Sequence, residues 1–127
     1  MHRVVALFYA HLISPWLRGY RRIVVFSGRE TRRSFAAFLA LHYGLLLLIT
    51  QGGMLDLSHD VLAGLGLFSL LVTLSYNVRR LHDSNRSGLL CLAYCLAAAP
   101  VVVAVSLFLS PDNRDNPYGP DPRHGNY

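Results

Sequence analysis

The chain has no lysine. All 12 basic residues among its 127 are arginine, so the formal charge of +5 rests on groups that stay protonated at any physiological pH. Cysteine is nearly absent: Cys91 and Cys95 stand one helical turn apart in an apolar run, too few for a disulfide framework or for a zinc site needing about four donors. They read as small hydrophobes. The chain also lacks a Gly-rich phosphate loop, a nucleophile elbow and a histidine-glutamate-histidine zinc helix, which removes the commonest signs of nucleotide, acyl-transfer and metallopeptidase chemistry. Asp112, Asp115 and Asp121 fail the alternating spacing of a calcium loop because position 114 is arginine. No cofactor and no metal is implied, and no complete catalytic constellation is present.

What the chain has is apolar length. At 53% hydrophobic and 15% charged it is too apolar for an ordinary soluble domain of this size. Three stretches, Phe35 to about Leu55, Val61 to Val78 and Gly88 to Leu109, carry no Asp, Glu, Lys or Arg in their interiors and are long enough to span a bilayer. The expected fold is therefore an all-α membrane protein. Residues 1–34 form an arginine-rich amphipathic segment, residues 35–109 a three-helix membrane domain, and residues 110–127 a tail with four prolines, extended and without a helix. Val4 to Leu17 is apolar but short and meets Pro15, so it is read as a helix lying on the membrane. No small-residue cleavage site follows it, so it is read as retained rather than as a signal peptide. The arginine pair at 21 and 22 is not followed by the apolar core that a twin-arginine export signal requires.

Charge asymmetry suggests an orientation. Residues 1–34 hold seven arginines and the loop 79–87 holds three, against none in 51–60 and two after Leu109. Three crossings with arginine-rich loops inside place the N-terminus and the 79–87 loop in the cytoplasm and the tail outside. Because the arginines flank apolar spans, the anionic partner expected is the lipid headgroup surface and not nucleic acid.

The spans have patterned faces. Ala36, Ala40 and Gly44 make a small-residue stripe on the first, read as a packing face that could also dimerise; Ala93 and Ala97 repeat the spacing on the third, where Pro100 bends the helix. Gly66, Ser69, Thr73 and Asn77 line one side of the second span, a polar strip expected to face the bundle interior as interhelical glue or, alternatively, as a hydrophilic path. His42 is the one titratable side chain well inside a span. It lies opposite the small-residue stripe and is read as a neutral histidine bonded to a neighbouring helix, with a proton relay as the alternative. Asp56 or Ser58 is placed to start the second span, and Ser84 or Ser87 the third.

Two charged clusters remain. Arg29, Arg32 and Arg33, with Glu30 and Thr31 among them, precede the first span; Arg79, Arg80, His82, Asp83 and Arg86 follow the second. If those spans pack as a hairpin, the clusters meet in one cytoplasmic rim. There Asp83 would pair with Arg79, Arg80 or the Arg29 to Arg33 group, and the rim would anchor topology or bind an anionic headgroup.

Three segments in order carry a resemblance: Phe26-Ser27-Gly28-Arg29 with Arg32-Arg33 and Phe35; Val78-Arg79-Arg80-Leu81-His82-Asp83 with Ser87-Gly88; and Asn116-Pro117-Tyr118-Gly119-Pro120-Asp121-Pro122. From about residue 20 to 122 the chain resembles the small bacterial inner-membrane proteins grouped as domain of unknown function 805. It departs from them at Phe35, which stands where an aromatic pair with tryptophan is frequent, at Leu89, where tryptophan is usual, and at Pro117 inside the tail motif. The resemblance implies a polytopic inner-membrane protein and brings no catalytic residues with it. The function expected is a non-enzymatic accessory or structural membrane protein that binds lipid, protein partners or a second copy of itself. A small transport or channel subunit using Ser69, Thr73, Asn77 and His42 is the alternative, and a headgroup enzyme using His82 and Asp83 as acid and base is the third reading.

Overall fold

The structure is a computed structural model that describes residues 1–53, 55–91 and 99–124. It is all-helical among the described residues, with five helices: α1 (His2–Phe8), α2 (Ser14–Arg21), α3 (Arg32–Gln51), α4 (His59–Asp83) and α5 (Ala99–Phe108). A π-helical turn, Tyr9–Ile13, joins α1 to α2. Pro15 therefore does not end the first helix as the sequence suggests. It falls in the first turn of α2, where a missing N–H is tolerated, and helical chain continues to Arg21.

Helices α3 and α4 are long and apolar enough to cross a membrane, with windows of mean hydropathy 1.6 and 1.8. Little of either window is covered by protein, 17% and 39% respectively. Leu45, Leu47, Leu48, Leu67, Phe68 and Leu70 stand exposed, a pattern that fits an apolar surround better than water. Each helix begins on a side-chain cap: Thr31 Oγ1 accepts the Ser34 N–H and Ser58 Oγ accepts the Val61 N–H. Asp83 ends α4 in a Schellman motif, in which Arg86 N–H donates to the Leu81 carbonyl, Asn85 N–H to that of His82, and Asn85 takes φ 54°.

The two long helices run antiparallel, and Glu30 N–H donates to the Arg79 carbonyl where α3 begins and α4 ends. The core gathers at this end. Phe35, Phe38, Val72 and Tyr76 are fully buried, with Trp16, Tyr20, Leu39, Val103 and Leu107 packed against them. Gly19 lets α2 lie flat on this layer, since a Cβ there would sit 2.5 Å from a Phe38 ring carbon. The buried face of α3 is Phe35, Phe38 and His42, whereas Ala36, Ala40 and Gly44 face outward. The small-residue stripe is thus not the packing face within this chain, because large aromatics fill the space between α2, α3 and α4 instead.

The third expected span departs most. Gly88 to Cys91 forms a short 3₁₀ turn, Cys91 is buried against Val78 and Leu81, and α5 has only 10 residues. Ala93, Cys95 and Ala97 lie outside the described residues. Near its start α5 lines a cavity with Pro100 and Val103 opposite Leu39, Tyr43 and Thr73, and it ends where the Arg80 guanidinium donates to the Leu109 carbonyl. It therefore finishes at the same end as α4. The tail that follows folds back over that end rather than emerging opposite it.

Candidate functional site

Asp83, the last residue of α4, has a fully buried side chain. A carboxylate there stays charged only with counterions, and the chain supplies three. Arg29 donates from Nη2 and Nε to Oδ1 at 3.0 and 3.3 Å; Arg80 and Arg123 donate from Nη1 to Oδ2 at 3.4 and 2.9 Å. Other hydrogens of Arg29 and Arg123 go to backbone oxygens. Arg29 Nη1 donates to the carbonyls of Arg114 at 2.6 Å and Gly119 at 3.3 Å, and its Nη2 also to that of Asp112. Arg123 Nη2 donates to the same Asp112 carbonyl at 2.6 Å.

The tail is bound through its own backbone as well. Asp112 N–H donates to the Asp83 carbonyl at 2.7 Å, and the Asn116 side-chain amide adds a second donor to the His82 carbonyl at 3.0 Å. Asn116 and Gly119 close a tight turn that lays the Tyr118 ring on His82, with centroids 4.1 Å apart. His82 Nδ1 sits 3.0 Å from the Gly28 carbonyl, which a φ of 92° at Gly28 turns toward the ring. Within the tail, burial alone would raise the Asp121 carboxyl, but the Arg123 backbone N–H and guanidinium, with His124 and Arg29, outweigh it and hold the pKa below its usual value.

A second knot surrounds Glu30. Arg18 grips it with Nε at 3.2 Å and Nη2 at 3.3 Å, while Arg79 and Arg22 stand at 3.9 and 4.0 Å. Burial works against the Arg18 charge, but the Glu30 carboxylate outweighs it and keeps the guanidinium above its ordinary pKa. Arg79 lies 5.0 Å from the Tyr76 ring and donates from Nη1 to the carbonyls of Arg22 and Val25. Across both knots six arginines share Glu30, Asp83 and Asp121, so positive charge is in excess.

The two sequence clusters therefore do meet, but not by every pairing expected. Asp83 takes Arg29 and Arg80; Arg79 turns to Glu30; Arg32, Arg33 and Arg86 remain exposed. The expectation that the tail lies across the membrane from this rim is overturned by the bonds from Arg29, Asp83 and Arg123, and with it the grouping of the tail acids on an arginine-poor face. Sequence reasoning gave no role to Arg18, Tyr118 or Arg123. The tail motif that carries the family resemblance was the available signal, since it points to a segment with a defined seat.

Within the spans, the strip on α4 faces inward: Ser69, Thr73 and Asn77 are buried, whereas Gly66 is open. His42 bridges three helices, with Nδ1 2.6 Å from the Tyr20 hydroxyl and Nε2 2.9 Å from Ser69 Oγ, and Trp16 Nε1 donates to Tyr20 at 2.9 Å. Every group in that chain is used if Tyr20 donates to Nδ1 and Nε2 donates to Ser69. Tyr43 and Thr73 hydroxyls pair at 2.7 Å. Burial pushes the Cys91 thiol up to about 11, so it stays protonated, and no metal-holding group of His, Cys, Asp and Glu occurs among the described residues.

Beside the knots lies a cavity of about 690 Å³ between the π-turn, α2, the start of α3 and the tail. Arg18, Arg29, Arg33 and Arg123 line it, and Glu30 is the one acidic residue lining it among the described residues.

The sequence pattern of the family described as "Protein of unknown function (DUF805)" matches residues 23–120, a range that takes in Arg29, Glu30, Arg79, Arg80, Asp83 and the tail turn but not Arg18, Arg22, Asp121 or Arg123. No curated protein and no solved structure matches the chain.

Proposed function

The chain belongs to the DUF805 family of proteins of unknown function, and from that premise we propose that it is a non-enzymatic accessory protein of a bacterial inner membrane that grips the anionic leaflet through its arginine end. Helices α3 and α4 are its two crossings. The N-terminal segment, residues 84–91 and the tail to residue 124 then share one side, with all 12 arginines on it and none in the 52–58 loop. By the bias of arginine toward the cytoplasm that side is the cytoplasmic one, tail included. The observation that carries this reading is the folding of the tail onto Asp83, which makes the arginine asymmetry complete.

The other readings fit less well. Transport would need Ser69, Thr73 and His42 open to water, yet their side chains are engaged in bonds between helices. Headgroup chemistry would need His82 and Asp83 free to exchange protons, yet one is stacked and bonded and the other is held by three guanidinium groups.

Reporter fusions at residue 127 and within 52–58 are expected to report opposite sides, with the C-terminus cytoplasmic; a C-terminus sharing the side of the 52–58 loop would overturn the two-crossing topology. Lipid that copurifies should be enriched in anionic species over the bulk membrane, and a bulk ratio would reject the leaflet-gripping role.

A further inference from the structure

We propose that the 690 Å³ cavity is a discrete site for a phosphate-bearing anion, a proposal that rests on the reading of this end as a surface for anionic lipid and narrows it to one place. Four arginines line the space; Arg18 shares Glu30, the one carboxylate residue lining it among the described residues, with Arg22 and Arg79, and Arg29 and Arg123 share Asp83. The fourth, Arg33, has no counter-ion among the described residues. Arg33 is the available ligand. It is exposed, lines the cavity and makes no hydrogen bond or ion pair among the described residues.

The start of α3 adds to this. Its first turn has no acidic residue and two arginines, an arrangement that sets like charge on the positive end of a helix. Thr31 caps only the Ser34 N–H, so other N–H groups of that turn await an acceptor at the cavity edge. An anion there relieves both conditions. Forked guanidinium groups and helix-end N–H groups match the several acceptor oxygens of a phosphate better than a single halide, and the volume lies within the range of ligand pockets. One wall is the π-turn with Ala10 and His11, and the helix leading into it exposes Val4, Val5, Leu7 and Phe8. That helix sits where an interfacial segment meets headgroups. The phosphate could belong to a lipid headgroup or to a soluble compound.

The test uses the full chain in phosphatidylcholine nanodiscs, with the thermal midpoint as readout. Two probes are compared: inorganic phosphate added to the buffer, and phosphatidylglycerol introduced into the disc. A rise with phosphate identifies a site open to soluble phosphates, and a rise with phosphatidylglycerol alone identifies a headgroup site. In either case Arg33→Gln should weaken the apparent affinity about tenfold or more, as expected for losing a charge-assisted contact. Ala10→Trp should abolish it by filling the space. Arg32→Gln removes the same charge from the neighbouring position, which does not line the cavity, and should change affinity less than about threefold. Without probe, Arg33→Gln should not lower the midpoint, because the side chain is exposed and unbonded and its loss relieves like charge at the start of α3. Equal losses in Arg32→Gln and Arg33→Gln, or an Ala10→Trp protein that responds like the parent, would mean diffuse attraction and would overturn the site while leaving the leaflet-gripping function standing. No response to either probe overturns the site as well.

Discussion

Replacing Asp83 by asparagine removes the one carboxylate that Arg29, Arg80 and Arg123 share. The first two side chains are fully buried with it, and Arg123 is 28% exposed. Breaking a buried pair from one side leaves uncompensated charge and costs about 3–5 kcal/mol. Arg123 can swing to solvent and Arg29 keeps its carbonyl acceptors, so the lower figure applies here. Those acceptors belong largely to the tail, and the relief available to the protein is to let the tail go. At about 1.4 kcal/mol per decade, a loss near 3 kcal/mol raises the tail-open population about a hundredfold. Hydrogen exchange reads that population directly through the Asp112, Asn116 and Gly119 amides, which are bonded to Asp83 and to each other. Protection over residues 112–119 should fall about a hundredfold in Asp83→Asn, while the exposed Asp60→Asn at the far end leaves it unchanged. Tail protection that moves less than about threefold in Asp83→Asn would refute the claim that this knot seats the tail.

Gly19→Ala puts a methyl 2.5 and 2.6 Å from two Phe38 ring carbons and should destabilise the α2 to α3 contact by about 1–3 kcal/mol, visible as a lower thermal midpoint. Ser69→Ala strands the His42 ring nitrogen and Thr73→Val strands Tyr43; each should cost about 0.6–1.7 kcal/mol in the midpoint. Proteoliposomes carrying either should leak ions no differently from the parent, and a flux that these changes abolish would instead favour transport. The Asp121 carboxyl has a folded pKa below 3.8, so the stability it adds is fully present above that value and fades as pH falls through the lower, folded value. Exchange at Arg123 and His124 should therefore accelerate below about pH 3.8 in the parent and show less acceleration in Asp121→Asn.

The long apolar helices were readable because bilayer-scale length and freedom from charge are properties of contiguous sequence. So were the hairpin of α3 and α4, the Ser58 cap, the inward strip of Ser69 and Thr73, and the meeting of Arg29 with Asp83. Of the third expected span, the described residues hold only the 3₁₀ turn to Cys91 and the 10 residues of α5. Gly88 to Leu109 has the same uncharged composition whether it crosses a bilayer or turns back within it, and composition cannot separate a traversing helix from a short one that ends beside Arg80. The outward face of Ala36, Ala40 and Gly44 was equally hidden, since small residues allow close approach but do not require it, and here Phe38 and Tyr76 under Gly19 set the contact.

Sequence by itself determined which segments suit an apolar surround, and that the basic charge beside them is all arginine. Both follow from local chemistry. Only the tertiary structure decided which arginines are spent and which are free, because a guanidinium on Asp83 or on a tail carbonyl is no longer available to a ligand. That depends on where residues 112–123 come to rest, and it leaves Arg33, not Arg29, facing the cavity unbound.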